Sequence, residues 1–151
     1  MCGGPATIGT ELRPTLWTLA GGNGAGKSTF HRLYLEPRGV AFVNADVIAR
    51  EIDPSNPAAA SYEAARMTMR RFADFVGTGV PFAYESVFSH PSKVDMLASA
   101  RAAGYRVVLV YVHLDRPELH PRVRHFVPQL VDSAMSKAGN CHYSAVSARS
   151  A

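Results

Sequence analysis

The sequence predicts an α/β fold: a parallel sheet with helices on both faces. Two observations carry that expectation. The stretch Arg106 to Leu114 contains Val-Val-Leu-Val-Tyr-Val, a nearly unbroken apolar run of the kind found in strands buried on both faces. Elsewhere short β-type runs alternate with helical patterns, as they do when parallel strands are joined by crossover helices. A chain of 151 residues suits one domain, and 47 % hydrophobic against 19 % charged residues sets it apart from disordered chains.

The elements follow in order. Residues 1–14 read as a lead-in. Residues 15–20, Thr-Leu-Trp-Thr-Leu-Ala, form a β-type run that stops at a glycine cluster. A helix is expected from about Lys27 and ends by Pro37, because proline disfavours helix at the residue before it. Val40 to Val43 reads as a second buried strand, with a short helix opening near Asp46. Asn56 and Pro57 suit an N-cap and first turn. After them Tyr62, Ala65, Met69, Phe72 and Val76 recur at helical spacing, which predicts one buried face, closed by Gly77. Phe82 to Glu85 is a third strand candidate, and Val94, Leu97 and Ala98 mark a helix that Gly104 closes. The folded part is expected to end near residue 131. From Asp132 to Ala151 ten of twenty residues are Ala or Ser and none is Leu, Ile or Phe, so 132–151 is expected to be a poorly ordered tail.

Composition narrows the function classes. No stretch approaches the roughly 18 apolar residues of a spanning helix, so no membrane association is expected. Met1 to Arg13 has no basic region followed by an apolar run, so no secretory signal is visible, and a cytoplasmic location with Cys2 and Cys141 reduced is expected. The net charge of +4 sits entirely in residues 101–151, and most of the basic residues are Arg, which suits phosphate capture. Codon bias gives the same composition, so the charge does not by itself point to nucleic acid.

Gly21, Gly22, Asn23, Gly24, Ala25, Gly26, Lys27 and Ser28 fit G-x-x-x-x-G-K-[ST], with Thr29 next. The glycines let backbone N–H groups curl around a phosphate, and the following helix directs its positive end at the same anion. Lys27 would reach the β- and γ-phosphates, and Ser28 would bind Mg²⁺. The motif predicts a nucleoside triphosphate site without naming the reaction.

Ligands of open α/β sheets bind at the carboxyl ends of strands, so residues there are the candidates for the remaining chemistry. Asp46 follows the second strand and could act as general base toward a substrate hydroxyl, or merely cap the next helix. Glu85 ends the third strand and could hold Mg²⁺ or a sugar hydroxyl, or pair with an arginine at the sheet edge. Ser86 and Ser89 could bind substrate or cap a helix; Ser89 suits capping. Arg116, Arg122 and Arg124 could close over a transferring phosphate as lid arginines, or lie on a solvated surface. His120 and His125 have no ligand partner at metal-binding spacing, and no metal site is expected from them.

The ordered string Leu-Ala-Gly-Gly-Asn-Gly-Ala-Gly-Lys-Ser-Thr-Phe (19–30), Val-Asn-Ala-Asp (43–46), Ala-Tyr-Glu-Ser (83–86), Ala-Ala-Gly-Tyr (102–105) and Leu-Asp-Arg-Pro-Glu-Leu (114–119) resembles the zeta toxin family. The likeness covers roughly residues 15–124. It implies a P-loop kinase sheet, ATP and Mg²⁺, and transfer to the 3′-hydroxyl of the amino-sugar in UDP-N-acetylglucosamine, with an antitoxin protein as partner. It also implies phosphate binding by Lys27, Asp46 as base and Glu85 in the substrate pocket or near the metal. After Glu118 the pattern departs. Arg122-Val-Arg124-His125 resembles only the opening of the lid, and Phe126-Val-Pro128 follows where the family has Gly-Gly-His. A family member altered at its carboxyl end is therefore expected, with an incomplete lid and last strand. Two other functions stay open: a P-loop kinase of another small molecule, and a weakly catalytic ATP-binding remnant that binds an antitoxin-like partner.

Overall fold

The computed structural model describes residues 13–86, 92–114 and 142–148. Strand β1 (Thr15–Ala20) is the centre of a five-stranded sheet. It lies between β3 (Phe82–Ser86) and β4 (Arg106–Leu114); β2 (Ala41–Val43) flanks β3, and β5 (His142–Ala148) flanks β4. Every pairing is parallel, as expected.

The side chains of the central strands divide between two cores, because successive strand residues face opposite ways. One core gathers Leu16, Phe82, Tyr84, Val107 and Leu109 with Phe72 and Leu97 from the helices α3 (Ser61–Thr78) and α4 (Ser92–Ala102). The other gathers Leu19, Ala83, Val110 and Val112 with Leu35. Leu35 comes from the helical segment that starts as α1 (Lys27–Phe30), continues with π geometry over His31–Leu35 and closes as a 3₁₀ turn over Glu36–Arg38. Helices therefore cover both faces. The segment runs one residue past Pro37. Proline sits in the first turn of the 3₁₀ piece, where its missing N–H costs little, and Gly39 at φ +70° ends the segment.

Three expectations change. Helix α3 begins at Ser61, after a turn over residues 57–60, and ends at Gly79, not Gly77. Gly79 adopts φ +70°, and the Tyr105 hydroxyl donates to the carbonyls of Phe75 and Val80 on either side of this end. The buried face of α3 is also rotated from the expected one. Ala64, Thr68 and Phe72 are buried at steps of four, whereas Tyr62 is 77 % and Met69 46 % exposed. The third change is at the carboxyl end. Residues 142–148, expected in a poorly ordered tail that lacked the last strand, form β5 in register with β4 from Val108↔His142 to Leu114↔Ala148. Parallel pairing is made by backbone groups, so His-Tyr-Ser-Ala-Val-Ser-Ala can form a strand without Leu, Ile or Phe.

Helix α2 (Ala45–Ile52) packs on α3 through Ile48, Ala49, Ala60 and Ala64. An exposed ion pair, Arg71 to Glu51 at 2.8 Å, joins the two helices at the surface. Arg122 and Arg124, the candidates expected for a lid, lie outside the described residues, as do Arg116, His120, His125, Ser89, Cys2 and Cys141.

Candidate active site

The glycine loop leaves β1 at Ala20 and turns directly against β4. Gly21 has φ +148°, and a Cβ there would stand 2.2 Å from the Val112 carbonyl oxygen. Only glycine fits between the two backbones. The loop closes through Ala25 N–H to Gly22 O at 3.2 Å, and the helix opens with Phe30 N–H to Gly26 O at 2.8 Å. Asn23, Gly24, Ser28 and Thr29 remain exposed at its mouth.

Lys27 is 3 % exposed. A buried ammonium is costly unless it is paired and hydrogen-bonded. Both conditions are met: Nζ donates to the carbonyls of Gly21 and Gly22, each at 2.9 Å, and lies 3.5 Å from Glu85 Oε1.

Glu85 is the hub of the site. Register places it beside Leu19 of β1, next to the start of the loop. Its Oε2 accepts from Ser28 Oγ at 3.2 Å and from Asn44 Nδ2 at 2.8 Å. Its ionic partner is thus Lys27, in place of the arginine that a sheet-edge glutamate would have taken, and β3 is an interior strand. Ser28 and Glu85 together present the hard oxygen donors that Mg²⁺ prefers. Among the described residues no group of three His, Cys, Asp or Glu side chains forms a protein-only metal cage. A Mg²⁺ ion here would complete its shell with phosphate and water oxygens, the usual arrangement for that ion.

Of the two readings of Asp46, the structure bears on the cap alone. The residue that caps α2 is Asn44, whose Oδ1 accepts from Asp46 N–H at 2.7 Å and Val47 N–H at 3.3 Å. Asp46 sits in the first turn, exposed, and among the described residues its carboxylate has no hydrogen-bond or ion-pair partner. It faces a cleft of about 370 Å³ shared with Asn23, Asn44, Tyr84, Glu85 and Ser86, and with Ala65, Thr68 and Met69 of α3 and Lys93 of α4. The expected candidates Asp46, Glu85 and Ser86 are brought together at the carboxyl ends of β2 and β3, with Lys27 and Ser28 bound to Glu85.

Asn44, Met69 and Lys93 are among the cleft residues that sequence reasoning missed. The Asn-Ala-Asp triplet after β2 carried a signal for Asn44, since asparagine is among the strongest N-caps. Met69 was read as core from its spacing, and Lys93 had no local signal.

A protein of Haemophilus influenzae strain Rd is 29 % identical over 116 residues, 72 % of this chain and 82 % of that one. Among solved structures, the AvrRxo1-ORF1:-ORF2 complex superposes with a TM-score of 0.68 at 16 % identity, covering 89 % of this chain and 55 % of that one. A structure from the PezAT chromosomal toxin–antitoxin system of Streptococcus pneumoniae gives 0.58 at 16 % identity, over 84 % of this chain and 59 % of that one. A sugar kinase of Janibacter sp. HTCC2649 gives 0.50 at 15 % identity, over 89 % and 85 %. The chain thus spans little more than half of the AvrRxo1-ORF1:-ORF2 and PezAT structures, and at these identities the likeness shows the fold alone. Family membership rests on sequence: residues 6–125 match the family described as Zeta toxin. Because that match takes in the glycine loop, Asp46, Glu85 and every strand except β5, the chain is a kinase-like member of the zeta toxin family.

Proposed function

We propose that this protein transfers the γ-phosphoryl group of ATP to a hydroxyl of a small acceptor, the 3′-hydroxyl of the amino-sugar in UDP-N-acetylglucosamine. The observation that supports it best is one cleft holding a carboxylate with no partner among the described residues, Asp46, beside the Glu85 that anchors the glycine loop through Lys27 and Ser28.

Phosphoryl transfer needs positioning and charge neutralisation more than covalent chemistry. In this reading residues Gly21 to Thr29 cradle the phosphates, and Lys27 exchanges the carbonyls of Gly21 and Gly22 for phosphate oxygens. Ser28 and Glu85 would hold Mg²⁺, which would supply neutralisation of the phosphate charge. Asp46 accepts the proton as the acceptor O–H bond breaks, and that oxygen bonds to the γ-phosphorus while ADP leaves. Glu85 and Ser86 orient the acceptor. Arg122 and Arg124 are assigned to a lid over the transferring group. A structural neighbour was solved with ATP, and others belong to toxin–antitoxin or two-protein complexes. They support ATP as donor and an antitoxin protein as partner. The cytoplasm, where both nucleotides occur, is the location this reading requires.

The test is ADP release from Mg-ATP with and without UDP-N-acetylglucosamine, with the product examined by mass spectrometry. ADP together with a singly phosphorylated sugar nucleotide is expected. Turnover with a different acceptor reassigns the substrate. Tight ATP binding without turnover on any acceptor replaces the enzyme with an ATP-binding partner of an antitoxin.

A further inference from the structure

We infer that His31 is a positioning residue that holds β2, and the Asp46 that follows it, in register with the glycine loop; this rests on the reading above, in which the loop carries the donor and Asp46 meets the acceptor. His31 is 8 % exposed and lies four residues after Lys27, on the same face of the helical segment. Its backbone N–H donates to the carbonyls of Lys27 and Ser28. Its side chain reaches the other way, with Nε2 2.9 Å from the Val40 carbonyl oxygen. A carbonyl only accepts, so Nε2 carries the hydrogen. The ring also stacks on Phe42 of β2, with centroids 4.2 Å apart and planes 11° from parallel. Val40 N–H in turn donates to the Leu35 carbonyl at 3.2 Å, so both backbone polar groups of Val40 are bound to this one segment.

Strand β2 needs such a tie. It has three residues, stands at the edge of the sheet and pairs with β3 alone. Its far end is fixed by Asn44 on Glu85, and His31 fixes the near end. The segment leaves α geometry at this same residue and continues as a π helix over His31–Leu35. Such turns are rare and concentrate at functional sites. The adjoining core, with Leu35, Val40 and Phe42, is apolar, so a residue kept only to fill space there could be Met or Leu. What histidine adds is a directed bond between the segment behind Lys27 and Ser28 and the strand that leads to Asp46. ATP meets the loop, so a slipped β2 leaves nucleotide affinity alone and spoils the approach of base and acceptor.

His31→Gln and His31→Met test this in the full chain. Both lose the ring and fill similar space, but only Gln keeps an N–H for the Val40 carbonyl. A packing role favours Met, the more apolar of the two, whereas a positioning role favours Gln. Three quantities are measured well below the melting temperatures: affinity for a non-hydrolysable ATP analogue with Mg²⁺, single-turnover transfer, and hydrogen exchange at the start of α2, where Asp46 and Val47 N–H groups bond Asn44. We expect His31→Met to transfer about 10- to 100-fold more slowly, the scale of a misplacement near 1 Å, with analogue affinity within a few-fold of the parent. His31→Gln should recover most of that rate. Binding of the analogue should slow exchange at Asp46 and Val47 in the parent and in His31→Gln, and much less in His31→Met. Equal losses in the two variants, analogue affinity falling together with rate, or no slowing at α2 in the parent overturns the inference. Slowing that depends on the donor, in a protein that phosphorylates no acceptor, leaves it standing while the proposed reaction fails. Transfer at the parent's rate in His31→Met does the reverse.

Discussion

The side-chain amide of Asn44 joins two structures at once: Nδ2 donates to Glu85 Oε2 at 2.8 Å while Oδ1 caps α2 through Asp46 N–H at 2.7 Å. The two ends of the amide are not interchangeable, because only the oxygen can accept from the helix and only the nitrogen can donate to the carboxylate. The first turn of α2, which carries Asp46, is thereby tied to the residue that anchors the glycine loop.

Replacing Asn44 separates the two roles. Asn44→Asp keeps a cap of equal quality but sets a second carboxylate against Glu85. At neutral pH the two carboxylates repel, whereas a proton shared between them in mild acid restores a hydrogen bond. Denaturation midpoints should show Asn44→Asp weaker than the parent at neutral pH, with the gap narrowing in mild acid. Asn44→Ala should lose about 1 kcal/mol for the cap alone, with no such recovery.

Lys27→Ala should abolish Mg-ATP binding in a fluorescence or calorimetric titration. It also strips the partly buried Glu85 of its counter-charge, and breaking a buried pair by removing one partner typically costs about 3–5 kcal/mol. Adding Glu85→Gln to Lys27→Ala should recover part of that loss in thermal denaturation. A double variant no more stable than Lys27→Ala would show that the pair contributes little.

Asp46→Asn should leave folding almost unchanged, since Asn44 supplies the cap and a first-turn carboxylate contributes at most about 1 kcal/mol through the helix dipole. ATP affinity should also hold. Phosphoryl transfer should fall by at least about 10²-fold, the usual contribution of a general base. Single-turnover rates at saturating ATP measure this directly.

How much of this was legible depended on how local each feature is. The glycine loop, the strand runs and the α2 opening lie in short contiguous patterns, and they appear where Gly21 to Ser28, Phe82 to Glu85 and Asp46 placed them. The face of α3 was misjudged because spacing reports which residues share a side, not what that side meets. Ala65 and Met69 border the cleft, whereas the core takes Ala64; Thr68, buried between the two, lines the cleft as well and is satisfied by donating to the Ala64 carbonyl at 2.7 Å. Gly77 and Gly79 are equal in sequence, and the Tyr105 hydroxyl at the Phe75 and Val80 carbonyls, a contact across the fold, marks the second as the end. Strand β5 escaped notice because its pairing with β4 is a backbone property.

Two glycines of the same loop should respond differently to alanine. Gly21→Ala drives a methyl into the Val112 carbonyl and must push the loop off β4, whereas Gly24, at φ +76° with open space around it, meets only backbone strain. We expect Gly24→Ala to cost about 1–2 kcal/mol and Gly21→Ala clearly more, read from urea denaturation. Equal losses would mean that the loop stands further from β4.

Removing residues 142–151 would take away β5 and turn the long apolar strand β4 into an edge. Exposed edges with apolar character invite pairing with other chains. The shortened protein should have a lower melting temperature and form soluble or visible aggregates, detected by light scattering. A monodisperse shortened protein with the parent's melting temperature would show that β5 adds nothing to the sheet.

The carbonyls of Gly21 and Gly22 occupy the Lys27 ammonium in the same hydrogen-bonding positions that an incoming anion must take over. A nucleotide arriving at this loop therefore finds a resident competitor made of the loop's own backbone. Occupancy becomes an exchange of partners, not the filling of a void, and the most deeply buried charge among the described residues is compensated by the loop's own backbone. A ligand that takes the ammonium must therefore offer more negative charge than two amide carbonyls, which favours a polyphosphate over a weakly charged anion.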